Sequence, residues 1–213
     1  VVKGEATLKQ ALIRDKRLEN LFVLPASQTR DKDALDFQGV GRVIDELKEL
    51  GFDYIICDSP AGIEKGAQMA MYYADEAIVV TNPEVSSVRD SDRVLGLLDA
   101  KTRKAELGVP MKTHLLVTRY APERAAKGEM LNVNDIIELL GIQFLGVIPE
   151  SRSVLNNSNQ GTPVVMDGAS DAAQAYTDAI KRFLGEEQPH RFLTQEKKGF
   201  FSRLFSPSNA YAG

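Results

Sequence analysis

Short apolar runs alternate with segments whose apolar residues recur every three or four positions, almost to the end of the chain. Leu21-Phe-Val-Leu24, closed by Pro25, predicts a strand. Val40, Val43, Ile44, Leu47 and Leu50 recur at helical spacing, and Gly51 stops that helix as a C-terminal cap. Tyr54-Ile-Ile-Cys57 predicts the next strand, followed by a loop with Pro60 and Gly62 and a helix through Met69 to Tyr73. Further strands are predicted at Ala77–Val80, His114–Val117 and Phe144–Ile148. Helices are predicted near Val88–Leu98 and Asn134–Leu140, with a last long amphipathic one at Ala169–Leu184. The strands are continuous apolar runs, which points to a sheet covered on both faces. Alternation with helices makes that sheet parallel, with right-handed crossovers. The predicted class is α/β: a doubly wound, mostly parallel sheet with helices on both faces.

Composition then narrows the function. The 213 residues, 43% hydrophobic and 26% charged, suit one large domain or two small ones. A net charge of -4 disfavours a general nucleic-acid binder, so no specific nucleic-acid partner is expected. Cys57 is the single cysteine, which excludes an internal disulfide and a thiolate-cluster metal site and is compatible with a reducing cytosol. Placed after an apolar strand with no histidine nearby in sequence, it reads as a small core residue and not a nucleophile. His114 and His190 are too few for a histidine-rich metal centre. No apolar run approaches the roughly 20 residues of a membrane-spanning helix. The sequence starts at Val1 without a basic-then-apolar signal segment and reads as a cytosolic chain whose natural start is missing.

The composition shifts after Gly185. Residues 1–185 are expected to form one N-terminally incomplete α/β domain, 186–195 a polar linker, 196–206 an amphipathic helix and 207–213 a disordered tail. At about 100° per residue, Phe200, Phe201, Leu204 and Phe205 fall within a sector of roughly 140°. Arg203 lies outside that sector, and Lys197 and Lys198 can snorkel from the first turn. A terminal helix docked on the body's own core is the generic alternative. A polar linker, three phenylalanines in six residues and basic flanks favour a helix lying in a membrane surface.

Ligands of an open parallel sheet bind beyond the carboxyl ends of its strands. Asp58-Ser-Pro-Ala-Gly62 follows Tyr54–Cys57. Its carboxylate could hold Mg²⁺ through water, and the Pro-Ala-Gly turn brings backbone N–H close to a terminal phosphate. Alternatively, Asp58 or Ser59 caps the next helix. After Ala77–Val80, Pro83 stops the strand and Ser86 or Ser87 can cap a helix whose first turns carry Arg89, Asp90, Asp92 and Arg93. Thr118-Arg119 and Pro149-Glu150 follow two further strands, and together they put a flat guanidinium and Pro-ordered backbone where an adenine ring could be held.

The strings Pro25–Leu35, Cys57-Asp-Ser-Pro-Ala-Gly-Ile-Glu64, Thr81-Asn-Pro-Glu-Val-Ser-Ser-Val-Arg-Asp-Ser-Asp-Arg93, Leu145-Gly-Val-Ile-Pro-Glu150 and Lys197–Phe205 resemble the MinD/ParA family of deviant Walker A ATPases. They are most similar to its membrane-associated members, which position the bacterial division septum. The resemblance implies a P-loop NTPase-like fold and ATP with Mg²⁺ as cofactors. It further implies an ATP-dependent homodimer, peripheral on the inner face of the cell membrane, that recruits a MinC-like division inhibitor and answers to a MinE-like topological regulator. By the same resemblance Asp58 is the metal-coordinating carboxylate and Gly62 the glycine that senses the γ-phosphate. Thr118, Arg119, Pro149 and Glu150 surround adenine, and Glu64, Asp90 and Asp92 form the partner surface. The family's phosphate loop, Lys-Gly-Gly-x-Gly-Lys-Thr, has no counterpart: no Gly-Lys pair occurs. The expectation is a fragment that begins after the first strand-helix-strand unit. A non-catalytic, membrane-tethered adaptor is the alternative.

Overall fold

The computed structural model describes residues 1–2, 5–25, 36–60 and 62–194. It comprises two compact units, Val1–Ala77 with Asp92–Lys112, and Ile78–Ser91 with the chain from Thr113 onward.

In the first unit, Thr7 caps α1 (Leu8–Ala11) through a reciprocal capping box with Gln10. Strands β1 (Ile13–Arg14) and β2 (Phe22–Val23) pair antiparallel, Ile13 opposite Val23. The expected strand at Leu21–Leu24 is thus a two-residue piece of a separate hairpin. Asp36 accepts the Gly39 N–H at the start of α2 (Phe37–Glu49), which buries Ile44 and Leu47. Gly51 ends that helix at φ +84°, a conformation open to glycine, and its N–H reaches the Lys48 carbonyl at 3.0 Å. Helix α3 (Lys65–Tyr72) buries Ala67 and Met69. Beyond it, Tyr73 lies over Gly41 and donates to the Phe37 carbonyl at 2.8 Å.

Tyr54-Ile-Ile-Cys57 is not a strand in the structure. Among the described residues no ladder partner takes it, and Ile56 is 90% exposed. An apolar run becomes a strand only where another backbone satisfies its N–H and C=O groups. Cys57, expected in the core, is consequently exposed. Partial desolvation still pushes its thiol pKa up, which keeps it protonated.

In the second unit, β3 (Glu76–Thr81, reaching back across the boundary), β4 (Lys112–Tyr120) and β5 (Gln143–Pro149) form the parallel sheet, in that order. Helix α4 (Val85–Ala100) follows β3; it starts ahead of Ser86 and Ser87, which lie inside its first turn and do not cap it. The end of α4 and helix α5 (Arg103–Glu106) belong to the first unit; helices α6 (Pro122–Ala126), α7 (Val133–Leu140) and α8 (Arg152–Asn159), a 3₁₀ turn at Val164–Met166 and α9 (Asp171–Phe183) complete the second. Helix α9 packs on β5, where Leu116, Leu145, Ile148, Val164, Ala172, Ala175 and Ala179 make a buried cluster. Small residues on α9 let it approach the strand closely. The β4–β5 ladder is irregular: Leu115 faces Phe144 and Leu116 faces Gly146, so Leu145 is the extra residue of a bulge. Among the described residues no helix is long and apolar enough to cross a membrane.

Helix α7 allows a direct check on packing. Its inward face is Val133, Ile136 and Leu140, and Ile136 is fully buried, whereas Leu139 on the other side is 63% exposed. Ile136→Ala should cost about 2–5 kcal/mol in urea unfolding and Leu139→Ala about 0.5 kcal/mol or less. Equal costs would mean that the helix packs on a different face.

Candidate functional site

The strand ends of the second unit gather four of the expected positions. In β4, the ladder breaks again between Val117 and Tyr120, and there Arg119 takes a left-handed φ of +57°. Such a conformation is costly for a residue with a Cβ, and it turns the exposed guanidinium out of the strand's alternation. Thr118 just before it is half-buried and donates its hydroxyl to Asn82 Oδ1 at 2.9 Å. With its oxygen engaged, the Asn82 amide keeps two N–H donors for other groups. The Glu150 N–H donates to the Tyr120 carbonyl at 2.9 Å, and Pro149 stands opposite Tyr120 in the ladder. The connection between α6 and α7 is held to the turn after β3 by the Leu131 N–H, which donates to Pro83 O at 3.0 Å.

These turns enclose a small cleft of about 50 Å³, lined by Pro83, Glu84, Arg119, Arg124, Glu129, Met130 and Glu150. Arg124 bridges Glu129 at 3.4 Å and Glu150 at 3.5 Å, all three at the surface, where such pairs contribute about 0–1 kcal/mol. A purine ring needs far more room, since ligand pockets start near roughly 300 Å³. Entry of a base therefore requires the Arg119 or Arg124 side chain to swing out, which their exposure permits. Of the four expected base-site residues, Arg119 and Glu150 line the cleft, whereas Thr118 and Pro149 support it from behind. Sequence reading missed Asn82, Arg124 and Glu129. The Pro122-Glu-Arg124 turn was the available signal, because Pro122 opens α6 and so places Arg124 within its first turn.

Asp58 and Gly62 lie in the first unit, on exposed irregular chain ahead of α3. Gly62 has φ +99° with open space around its α-carbon. Helix α3 starts only at Lys65, with Glu64 at its N-cap position, so neither Asp58 nor Ser59 caps it. Glu64 makes no side-chain cap bond and is exposed, as are Asp90 and Asp92 on α4. Among the described residues no group of three or more His, Cys, Asp or Glu could hold a metal ion. In the second unit, the Arg119 guanidinium and the Asn82 amide stand beside a cleft. In the first unit, the Asp58 carboxylate suits Mg²⁺ held through water, and the given sequence contains no Lys-Gly-Gly-x-Gly-Lys-Thr string to accompany it. Residues 196–206, expected to bind membrane through Lys197, Lys198, Phe200, Phe201, Arg203, Leu204 and Phe205, lie outside the described residues, as do 26–35 of the Pro25–Leu35 string.

No family model matches the chain. It is 62% identical over 206 residues to the septum site-determining protein MinD of Escherichia coli K12, covering 96% of this chain and 76% of that one. It is 65% identical over 207 residues to the MinD of Neisseria meningitidis serogroup B, with the same coverage. Among solved structures it resembles the MinC:MinD cell division complex of Aquifex aeolicus, at TM-score 0.77 and 39% identity, covering 89% of this chain and 73% of that one. It also resembles MinD complexed with Mg-ADP from Pyrococcus horikoshii, at TM-score 0.70 and 27% identity over 85% of this chain and 70% of that one. Identity at that level over nearly the whole chain, on the doubly wound P-loop NTPase-like fold expected from the sequence, leaves one conclusion: the chain belongs to the MinD family of septum site-determining proteins.

Proposed function

We propose that this chain forms the base-binding, partner-binding and membrane-binding part of an ATP-dependent dimeric switch that positions the division septum. The observation that carries this reading is the convergence of Asn82, Thr118, Arg119 and Glu150 at the ends of three parallel strands. Arg119 and Pro149 would flank an adenine ring, and the oriented Asn82 amide and the Glu150 carboxylate would meet its polar edge. Asp58 would hold Mg²⁺ through water and Gly62 would present backbone to the terminal phosphate. When bound, Mg²⁺–ATP supplies the energy that drives dimerisation. No hydrolytic step is assigned to this chain, because its sequence has no phosphate-cradling loop.

The partner is a MinC-like inhibitor, with a MinE-like regulator sharing its surface. Support comes from the exposed acids Glu64, Asp90 and Asp92 and from the MinC:MinD complex among the similar structures. Asp90 and Asp92 diverge by about 200° around α4, which suits a broad protein contact and not a single ligand atom. The test uses a fusion that places a segment carrying the family's Lys-Gly-Gly-x-Gly-Lys-Thr loop ahead of Val1. In it, Asp90→Ala or Asp92→Ala should weaken capture of a MinC-like inhibitor about two- to fivefold, the range of exposed charge contacts. Unchanged capture by both variants would remove α4 from the docking surface.

A further inference from the structure

The segment after Gly185, polar enough to read as a free linker, is held against the body at four points. Arg182 on α9 donates to the Leu145 carbonyl, which the β4–β5 bulge leaves out of the ladder. The same guanidinium donates to the carbonyls of Gln188 at 3.2 Å and Pro189 at 2.7 Å. Next, His190 stacks on Phe144, with centroids 5.0 Å apart and planes at 24°. Burial and the Arg182 charge hold its imidazole below the ordinary pKa, so it meets the ring neutral at pH 7. Arg191 then doubles back to α9. It grips Asp178 with two parallel N–H···O bonds of 2.8 Å and reaches Gln174 at 3.1 Å. Asp178 is 4% exposed, so its charge is committed to this pair. Finally, Phe192, at a left-handed φ of +66°, packs against the buried cluster under α9.

From this we infer that Glu186–Phe192 is a latch, closed by the Asp178–Arg191 pair, that fixes the root of the amphipathic tail to α9. Asp178, Arg182 and Arg191 are positioning residues for the anchor. A free linker over 186–195 would span up to about 33–36 Å, whereas residues 193–195 alone reach about 10 Å. A membrane-bound tail would then hold the α9 face of the second unit close to the lipid surface instead of trailing it on a loose tether. The function of the latch rests on the membrane reading proposed above; its existence does not.

Limited chymotrypsin digestion of the full chain, scored by mass spectrometry for the fragment ending at Phe192, separates the two. Arg191→Gln should speed cleavage after Phe192 at least tenfold, and Arg191→Lys, with its charge but not its fork, should fall between. Asp178→Asn, read with trypsin after Arg191, should give a similar gain. If it fails to fold, Arg191→Gln, altered at a half-exposed side chain, decides alone. Equal rates for wild type and Arg191→Gln overturn the latch. On vesicles of phosphatidylglycerol and phosphatidylcholine, wild type should keep its resistance at Phe192 while it sediments. A tenfold gain in cleavage on binding would show that the membrane opens the latch and would overturn its role as the short tether. If wild type sediments no better than Phe201→Glu, the membrane reading falls, and digestion in solution still decides the latch.

Discussion

The purified chain should hydrolyse no ATP above the uncatalysed background. Transferring a phosphoryl group takes donors aimed at the β- and γ-phosphates, and removing even one preorganised donor typically costs about 10²–10³ in rate. Here a whole loop of donors and its lysines is absent from the sequence. The fusion carrying the family's phosphate loop ahead of Val1 should hydrolyse ATP with Mg²⁺, and Asp58→Ala in it should lower kcat by about 10²–10³. Cys57→Ser beside it should change kcat less than twofold, since an exposed, protonated thiol has no role in the chemistry. Turnover by the chain as it stands, sensitive to Asp58→Ala, would defeat the proposal.

Phe201→Glu should abolish binding to anionic vesicles. Burying Phe200, Phe201, Leu204 and Phe205 contributes at most about 6–12 kcal/mol, and each basic residue near anionic lipid adds about 1 kcal/mol. Ordering some ten residues costs about 10 kcal/mol or more. One tail should therefore bind feebly, and a glutamate at the centre of its apolar face would remove a large contact, bury a charge and offset the attraction of one basic residue. Two tails on one dimer gain from effective concentration, so a forced dimer should sediment with vesicles far better than the monomer, and high salt should weaken it. Equal sedimentation by wild type and Phe201→Glu would show that the tail is no anchor.

Elements whose period and neighbours agree were legible in the sequence. Helix α7 and strands β4 and β5 were read to within three residues at each end because each apolar run has a partner beside it. Tyr54–Cys57 has the same composition and failed, since a strand is a property of a pair and its partner is not among the described residues. That Thr118, Arg119, Pro149 and Glu150 would meet at strand ends was legible, because they close strongly apolar strands. Arg119's left-handed backbone and the Thr118–Asn82 bond were not, for they depend on a bulge that side-chain pattern does not encode. The strap was illegible for a related reason: Glu186-Glu-Gln-Pro189 is polar, yet its carbonyls are claimed by one arginine on the preceding helix.

That arginine also bears on what strand β5 can carry. Gly146 lies beneath it at φ +147°, and a Cβ added there would meet Arg182 Nη1 at 2.7 Å. A side chain at 146 is strained by that backbone whatever stands at 182, and it also pushes the tip of Arg182 away from the Leu145 carbonyl. One glycine thus serves two ends at once, the bend of a strand and the seat of an arginine.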